Sequence, residues 1–330
     1  MGRTDAGPDD LTLRAATAAD RPAIIHLCRA SLGWRADDPN EDFFAWKHDQ
    51  NPFGRSPAWV AVAPDGELVG LRVFLRWDFR LPNGGTRRAV RAVDTATHPD
   101  WQGRGIFTRL TTGALPDLEH QGIDLVFNTP NDKSRPGYLK MGWQQIGRVP
   151  VAVRLRSSMS AAKVLGARAA AEKWSTPTDV GMEAAGCLSN ETSVARLLER
   201  AAQPSGIATD RSPGYLAWRY SFAPLRYRVV PIGDRLDDGV VIFRLRRRGA
   251  ALEAAIVEVI APTGASARGA VGYVLRATGA DYAIRTGVGG AAGFLPAPSV
   301  GPVLTWRPLV DPWVPALEDL SLALGDVELF

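Results

Sequence analysis

The pattern of apolar and polar residues at the start of the chain predicts a strand followed by a helix. Residues 11–14 alternate as a short strand does, and Thr17 or Asp20 is positioned to cap a helix that ends at Leu32. One face of this helix carries the apolar residues Ile24, Leu27 and Cys28. A second helix is expected to start at Asn40, because two acidic residues follow that cap.

Three longer apolar runs predict an antiparallel meander. They occupy residues 59–63, 68–77 and 87–97. Pro-Asp-Gly at 64–66 and Asn-Gly-Gly at 83–85 separate them, and both are strong turn signals because glycine adopts positive φ without a steric penalty. We expect the meander to form the centre of the N-terminal fold.

A glycine-containing turn follows the third run. The turn at 103–105 precedes a helical pattern over 106–114, which Pro116 is expected to interrupt. Residues 123–127 are continuously apolar and predict a short strand buried on both faces. Because such a turn presents main-chain N–H groups at a helix N-terminus, it predicts an anion-binding site.

The second half of the chain contains a partial repeat of the first. The segment 44–48, with Pro52 six residues after its tryptophan, recurs as 216–220 with Pro224 at the same spacing. A β-like run follows each copy, which favours two related folds in tandem. The alternative is that an aromatic and basic helix end before proline arose twice by chance.

These features predict a division of the chain into two domains. We expect an N-terminal domain at 1–155, an Ala-rich and then irregular linker at 156–186, and a second, degenerate unit at 187–330. The second unit is expected to have strands at 240–246 and 252–260. It lacks a counterpart of Gly105, so no phosphate site is predicted there.

Composition narrows the function classes. A chain of 330 residues with 45% hydrophobic content can bury a large core, and the net charge of +4 comes from interspersed acids and bases, which gives nucleic-acid binding little support. Cys28 and Cys187 lie far apart and form no metal or disulfide pattern. No window reaches about 18 continuous apolar residues, so we expect a cytoplasmic protein without a membrane partner. The sequence leaves open whether the protein forms a homodimer.

The region around the glycine turn resembles a known family. The run from Thr97 to Phe107, THPDWQGRGIF, resembles the acyl-CoA signature Q/R-x-x-G-x-G/A of the GNAT superfamily of N-acetyltransferases. Gln102 and Gly105 fit the signature, and Phe107 stands where Gly or Ala is usual. Asn128 and the segment 138–143, YLKMGW, match the downstream part. Two ordered matches are far more specific than one glycine turn.

The resemblance implies a fold and a cofactor. The fold is α/β (α+β), with a GNAT-like mixed, mostly antiparallel sheet flanked by helices in two tandem units. The cofactor is acetyl-CoA, with no metal. Main-chain groups near Thr97 would bind its pantetheine arm. The amides from Gln102 to Phe107 would bind its pyrophosphate. The cofactor-binding residues implied are Ala96, Thr97, Gln102, Gly103, Arg104, Gly105, Ile106, Phe107 and Asn128.

The resemblance also implies two catalytic residues. Tyr138 occupies the position from which family members donate a hydrogen bond to the departing thiolate, and the alternative is a tyrosine packed beneath the helix. Asp94 lies three residues before Thr97, where some relatives have a carboxylate that removes the amine proton directly or through water. Its ordinary pKa of about 3.9 makes it a weak base unless it is desolvated or relayed. A structural ion pair with Arg88 or Arg91 is the alternative.

Three further sites are considered for the reaction. His98 is expected to be a loop residue, and the terminal carboxylate of Phe330 is another possible base if the C-terminal segment folds over the site. The segment 34–54 combines acidic and aromatic residues that could attract and stack on a cationic amine, although such residues more often form core and helix caps.

The function predicted is therefore acetyl-CoA-dependent N-acetyl transfer to a primary amine of a small molecule or peptide, by direct transfer in a ternary complex. One alternative is an aminoacyl or acyl transferase of the cell-wall or mycothiol-synthase type. The other is a non-catalytic acyl-CoA sensor.

Overall fold

The chain begins with the predicted strand and helix. In a computed structural model of the protein, which describes residues 10–158, 160 and 170–328, β1 is Thr12–Ala15 and α1 is Arg21–Leu32. The carboxylate of Asp20 accepts a hydrogen bond of 2.7 Å from the Thr17 amide ahead of the helix. The predicted apolar stripe of α1 is buried, so this helix packs on the sheet as its periodicity requires.

The predicted meander forms the first sheet. It consists of β2 (Ala58–Val62), β3 (Leu68–Arg80) and β4 (Thr86–Thr97). β2 pairs antiparallel with both β1 and β3. Gly66 and Gly84 have φ of 89° and 83°, so both turns use the glycine conformation that the sequence indicated.

A helical crossover carries the chain from β4 to a parallel strand. Helix α3 (Ile106–Gly113) ends before α4 (Leu115–His120), and this break is the interruption predicted at Pro116. β5 (Leu125–Asn128) is entirely buried and pairs parallel with β4. Helix α5 (Arg135–Lys140) then leads to β6 (Gln144–Arg148).

A strand from the C-terminal part of the chain completes the first sheet. Its strand order includes β1-β2-β3-β4-β5-β15-β6, where β15 is Val303–Pro308. Trp306 of β15 is fully buried, with its ring 5.7 Å from that of Phe79 and 6.3 Å from that of Phe127. The predicted division at residue 155 did not include this exchange, because a pairing between β5 and a strand 177 residues later leaves no local signal.

The second sheet reproduces the order of the first. Its order is β14-β7-β13-β12-β11-β10-β8. β10, β11 and β12 are antiparallel neighbours, and helix α9 (Arg268–Thr278) then crosses to the parallel strand β13, as α3 and α4 cross from β4 to β5. The strands of this sheet are β7 (Val151–Leu155), β8 (Met182–Glu183), β10 (Arg228–Pro231), β11 (Val240–Arg248), β12 (Ala251–Ile260), β13 (Tyr282–Thr286) and β14 (Leu295–Pro296). The two-residue strand β9 (Ala208–Thr209) is not part of it.

The remaining helices are short. They are α2 (Asn40–Phe44), which continues as a π-helical turn (Ala45–Asp49), α6 (Ala184–Leu188), α7 (Glu191–Arg200), α8 (Pro213–Arg219), α9 (Arg268–Thr278) and α10 (Leu324–Val327). Single 3-10 turns occur at Ala18–Asp20, Pro99–Trp101, Ala223–Leu225, Leu236–Asp238, Ala291–Gly293 and Leu317–Asp319. None of the helices in the described ranges has the length and apolar character needed to cross a membrane.

The described residues group into two compact units. The first comprises residues up to 79, 86–146 and 304–314, and the second comprises 80–85, 147–303 and 315–328. The Ala-rich part of the predicted linker falls largely on positions 159 and 161–169, outside the described residues. The mixed, mostly antiparallel sheets with flanking helices confirm the predicted fold class and its two tandem units.

A buried ion-pair network holds the C-terminal segment within the second unit. Oε1 of Glu328 accepts hydrogen bonds from Arg244 at 2.7 Å and Arg246 at 3.2 Å. Oε2 accepts from the Tyr227 hydroxyl at 2.8 Å and from Arg219 at 3.4 Å. Burial alone would raise the pKa of Glu328, but the three guanidinium groups outweigh it and lower the pKa to about 2.

Candidate active site

In the first unit, β4 and β5 pair over only part of the length of β4. The two parallel strands pair only between Ala89–Arg91 and Leu125–Phe127. The second half of β4, which carries Asp94, Ala96 and Thr97, therefore lies beyond the last β5 partner. The carbonyl of Thr97 accepts a 2.9 Å hydrogen bond from the Ser31 hydroxyl of α1, which fixes the end of the strand.

The predicted glycine turn lies next along the chain. Gly103 and Gly105 have φ of 77° and 71°, and a Cβ at either position would meet nothing within 4 Å. Gly105 is the N-cap of α3, so the amides of Ile106 and Phe107 belong to the first turn and have no intrahelical acceptor. The guanidinium of Arg104 lies 4.6 Å from the ring centroid of Trp101. This turn has the space and the donors that an anion requires.

The ring of Phe107 packs into the core beside Tyr138. The two ring centroids are 5.2 Å apart in an edge-on arrangement, and a Cβ on Gly137 would lie 2.9 Å from the Phe107 ring. Gly137 thus allows the close approach of α5 to α3. This packing accommodates Phe107 at the position where the signature usually has Gly or Ala.

Tyr138 is buried, and its hydroxyl contacts a buried arginine. Only 4% of Tyr138 is exposed, and its hydroxyl accepts a 2.7 Å hydrogen bond from Nη2 of Arg72. Arg72 lies on β3, is completely buried, and also contacts the Thr95 hydroxyl on β4. The hydroxyl proton of Tyr138 has no acceptor among the described residues, so it is left to donate.

Asp94 lies at the centre of a buried polar cluster. Its φ of 44° is uncommon for a non-glycine residue and is the kind of backbone strain found at functional sites. Oδ2 accepts from Lys47 Nζ at 2.8 Å and from His48 Nε2 at 2.7 Å, while Oδ1 accepts from Lys47 at 3.1 Å. Asp94 thus forms an ion pair, but with Lys47 and not with Arg88 or Arg91, the two partners expected from the sequence.

The charges of the cluster follow from burial and contact. Burial acts to raise the pKa of Asp94, but Lys47 and His48 outweigh it and hold that pKa well below its usual range. Burial lowers the pKa of His48, which is therefore neutral at pH 7. Because a carboxylate only accepts, Nε2 carries the proton, and Nδ1 accepts from the Ser56 hydroxyl at 3.0 Å.

Other residues considered from the sequence take varied positions. Asn128 is buried, and its Oδ1 accepts a 2.5 Å hydrogen bond from Thr305 of β15. Nδ1 of His98 accepts from the Asp100 amide at 3.3 Å, as a loop residue would. The carboxylate of Phe330 lies outside the described residues.

The segment 34–54 divides between core and surface. Trp34, Phe43 and Trp46 are buried, and the Phe43 ring lies 5.6 Å and 5.8 Å from the other two. Asp37 and the acidic start of α2 are exposed, with Asp37 paired to Arg35 at 3.0 Å. The aromatic residues therefore form core, which is the alternative that the sequence left open.

Sequence reasoning missed four residues of the site: Lys47, His48, Ser56 and Arg72. The only available signal was the repeated segment 44–48, read as a helix end. The π-helical turn at Ala45–Asp49 places two consecutive polar residues in the interior, and such turns are frequent at functional sites.

Comparison with known proteins finds a family match for the N-terminal part of the chain. The acetyltransferase (GNAT) domain family matches residues 12–146, which include the glycine turn, Asp94 and Tyr138. Among curated proteins, no sequence matches the chain.

Solved structures share the fold over nearly the whole chain. A probable N-acyltransferase of unknown function from Enterococcus faecalis V583 is 12% identical with a TM-score of 0.66, over 91% of this chain and 73% of that one. A GCN5-related N-acetyltransferase from Kribbella flavida is 16% identical with a TM-score of 0.62, over 92% and 73%. Eis1 from Mycobacterium abscessus is 17% identical with a TM-score of 0.55, over 91% and 74%. Residues 12–146 therefore match the acetyltransferase (GNAT) domain family, and nearly the whole chain shares its fold with these structures.

Proposed function

We propose that the protein is an acetyl-CoA-dependent N-acetyltransferase that acts on a primary amine of a small molecule or peptide by direct transfer in a ternary complex. One observation carries the proposal. The open glycine turn at the start of α3 follows closely on the half of β4 that has no β5 partner, and this half holds the strained and ionised Asp94. Anion binding and a fixed carboxylate thus come from one continuous segment.

The residues present fit the cofactor. The amides of the first turn of α3 and the open space at Gly103 and Gly105 suit a diphosphate, because a helix N-terminus stabilises negative charge. In this proposal the cofactor is held by Gln102, Gly103, Arg104, Gly105, Ile106 and Phe107, by the main chain of Ala96 and Thr97, and by Asn128. When bound, acetyl-CoA supplies an acetyl group activated as a thioester.

Asp94 is proposed to orient the acceptor amine rather than to act as the base that takes up the proton of the amine. An amine with an ordinary pKa of about 10.4 is protonated at pH 7, and removing its proton costs about 5 kcal/mol. A carboxylate with a lowered pKa is too weak a base to provide this free energy alone. Three hydrogen bonds occupy the Asp94 oxygens, which leaves acceptor capacity on Oδ1 for the amine or for one water.

Tyr138 is proposed to donate a hydrogen bond to the departing thiolate. Arg72 donates to its hydroxyl oxygen, so the hydroxyl proton is directed away from Arg72 and the adjacent positive charge favours a developing anion. Removing such a donor costs roughly 10²–10³ in kcat in other enzymes.

The test is thiol release from acetyl-CoA with a panel of amines, together with thermal-shift measurements of CoA binding. We expect Tyr138→Phe and Asp94→Asn to bind CoA as the wild type does and to lose turnover. Gly105→Val should lose CoA binding, because its φ of 71° strains a β-branched side chain. Gly66→Val, at φ of 89° on the β2–β3 turn, is the matched control and should bind CoA normally.

CoA binding without turnover on any amine would refute the catalytic proposal and favour an acyl-CoA sensor. Turnover with longer acyl-CoA or aminoacyl donors alone would favour the other transferase class. Unchanged CoA affinity in Gly105→Val would remove the proposed cofactor site.

A further inference from the structure

The second unit contains a cavity beside β12, the strand that corresponds to β4 in the order of the first sheet. β12 and β13 pair in parallel only between Glu253–Ala255 and Tyr282–Ile284, although β12 continues to Ile260. A cavity of about 980 Å³ opens beyond the last pair, against the outer half of β12, the end of β13 and the loop that leads to α9. Its size is in the range of small-molecule sites.

The walls of this cavity have somewhat more apolar than polar surface and differ from a nucleotide cradle. Leucine, isoleucine, valine, proline and alanine side chains from β12, α7 and the C-terminal segment line it, among them Leu198, Ile256, Ile260 and Leu324. The loop before α9 has no counterpart of the Gly103–Gly105 turn. An apolar ligand body is therefore a better fit than a diphosphate.

Four ionisable side chains stand among the described residues of the lining: Arg80, Arg211, Glu258 and Arg285. Arg211 is compensated, because its guanidinium donates to Glu258 at 2.8 Å and to Asp326 at 3.0 Å. Arg80 is exposed to solvent.

Arg285 is different, because it is half-buried and uncompensated. Within the described ranges its Nε has no hydrogen-bond partner and no carboxylate pairs with it, while its guanidinium carbon lies 4.8 Å from the centroid of the Phe294 ring. Burial lowers its pKa. A half-buried guanidinium without an anion is costly, and a bound carboxylate would satisfy it with two parallel hydrogen bonds.

We propose that this cavity binds a carboxylate carried on an apolar chain, with Arg285 as the anchor of the carboxylate. The apolar part of the walls would bury the chain, and the half-buried guanidinium of Arg285 matches one negative charge. The inference does not depend on the acetyl-transfer proposal, since every residue that carries it belongs to the second unit.

Isothermal titration calorimetry of the full-length protein with decanoate tests this site. Decanol, which lacks the carboxylate, and acetate, which lacks the long alkyl chain, are the control probes. We expect decanoate to bind and both control probes to bind at least tenfold more weakly, since a charge-assisted pair contributes about 1.5–3 kcal/mol. Arg285→Gln should weaken decanoate binding about tenfold to a hundredfold. Arg276→Gln, an exposed arginine of α9 outside the lining, is the matched control and should bind as the wild type does.

A second variant keeps the test independent of folding. Ala265 is exposed and lines the cavity, so Ala265→Trp should reduce decanoate binding while Arg285 stays in place. The inference is overturned if decanoate fails to bind, if decanol binds equally well, or if neither variant changes the affinity. Loss of binding in both variants with acetyl transfer intact supports a site separate from the first unit.

Discussion

Glu328→Gln removes the negative charge at the centre of the buried network in the second unit. The variant keeps the size of the side chain but leaves the guanidinium groups of Arg219, Arg244 and Arg246 without their shared anion. Glu328 and the three arginine side chains are within the interior, so water cannot solvate the guanidinium groups after the negative charge is removed. We expect a large loss in the free energy of unfolding.

Two estimates of the magnitude agree. The pKa of Glu328 falls from 4.5 to about 2 on folding, and this difference corresponds to about 3 kcal/mol of stability at pH 7. Breaking a buried ion pair by removal of one partner typically costs about 3–5 kcal/mol. Because the folded pKa is the lower one, this contribution is complete above pH 4.5 and is lost as the pH falls towards about 2.

Urea unfolding of the wild type and the variant between pH 7 and pH 3 measures this contribution. The difference in unfolding free energy should be about 3 kcal/mol at pH 7 and about half of that by pH 3. Glu318→Gln, the same change at an exposed residue of the same segment, is the control and should cost less than about 0.5 kcal/mol. A Glu328→Gln difference below about 1 kcal/mol at pH 7, or one that does not shrink in acid, would refute the reasoning.

Three further outcomes follow from the first unit. Lys47→Met should destabilise the protein by about 3 kcal/mol in urea unfolding, and the loss should diminish in acid as Asp94 becomes protonated; a pH-independent loss would contradict the assigned charge pair. Gly70→Ala should lower stability by about 1–3 kcal/mol and weaken CoA binding, because its Cβ would lie 2.5 Å from Ile106 of α3; unchanged values for both would show that α3 can shift freely. Trp306→Ala should cost about 3–5 kcal/mol, and a change below about 1 kcal/mol would mean that β15 contributes little to the first core.

The local features of the fold could be predicted from the sequence because they are encoded by neighbouring residues. The turns around Gly66 and Gly84, the break near Pro116 and the glycine turn before α3 each have a signal within a few positions. The GNAT signature also allowed the strand β4 and its carboxylate, Asp94, to be predicted.

The rest of the site depends on contacts that no local pattern records. Lys47 and His48 are brought to Asp94 by a π-helical turn, and an ordinary helix period would not place both side chains inside. Arg72 reads as one polar residue in an apolar strand, and its role becomes visible only when Tyr138 is packed against it, 66 positions away. Strand β15 was missed for the same reason.

The place of β15 in the first sheet has a consequence for how the protein is made. A ribosome that has released residues 1–155 has not yet supplied Val303–Pro308, so the nascent N-terminal half lacks the strand that lies between β5 and β6. At about 5–20 residues per second, the wait before that strand emerges is roughly 10–30 s. During that interval an unpaired edge of β5 is open to other chains. A fragment cut at residue 155 should therefore aggregate, and adding a peptide of residues 300–314 should restore its solubility if this order of assembly is right.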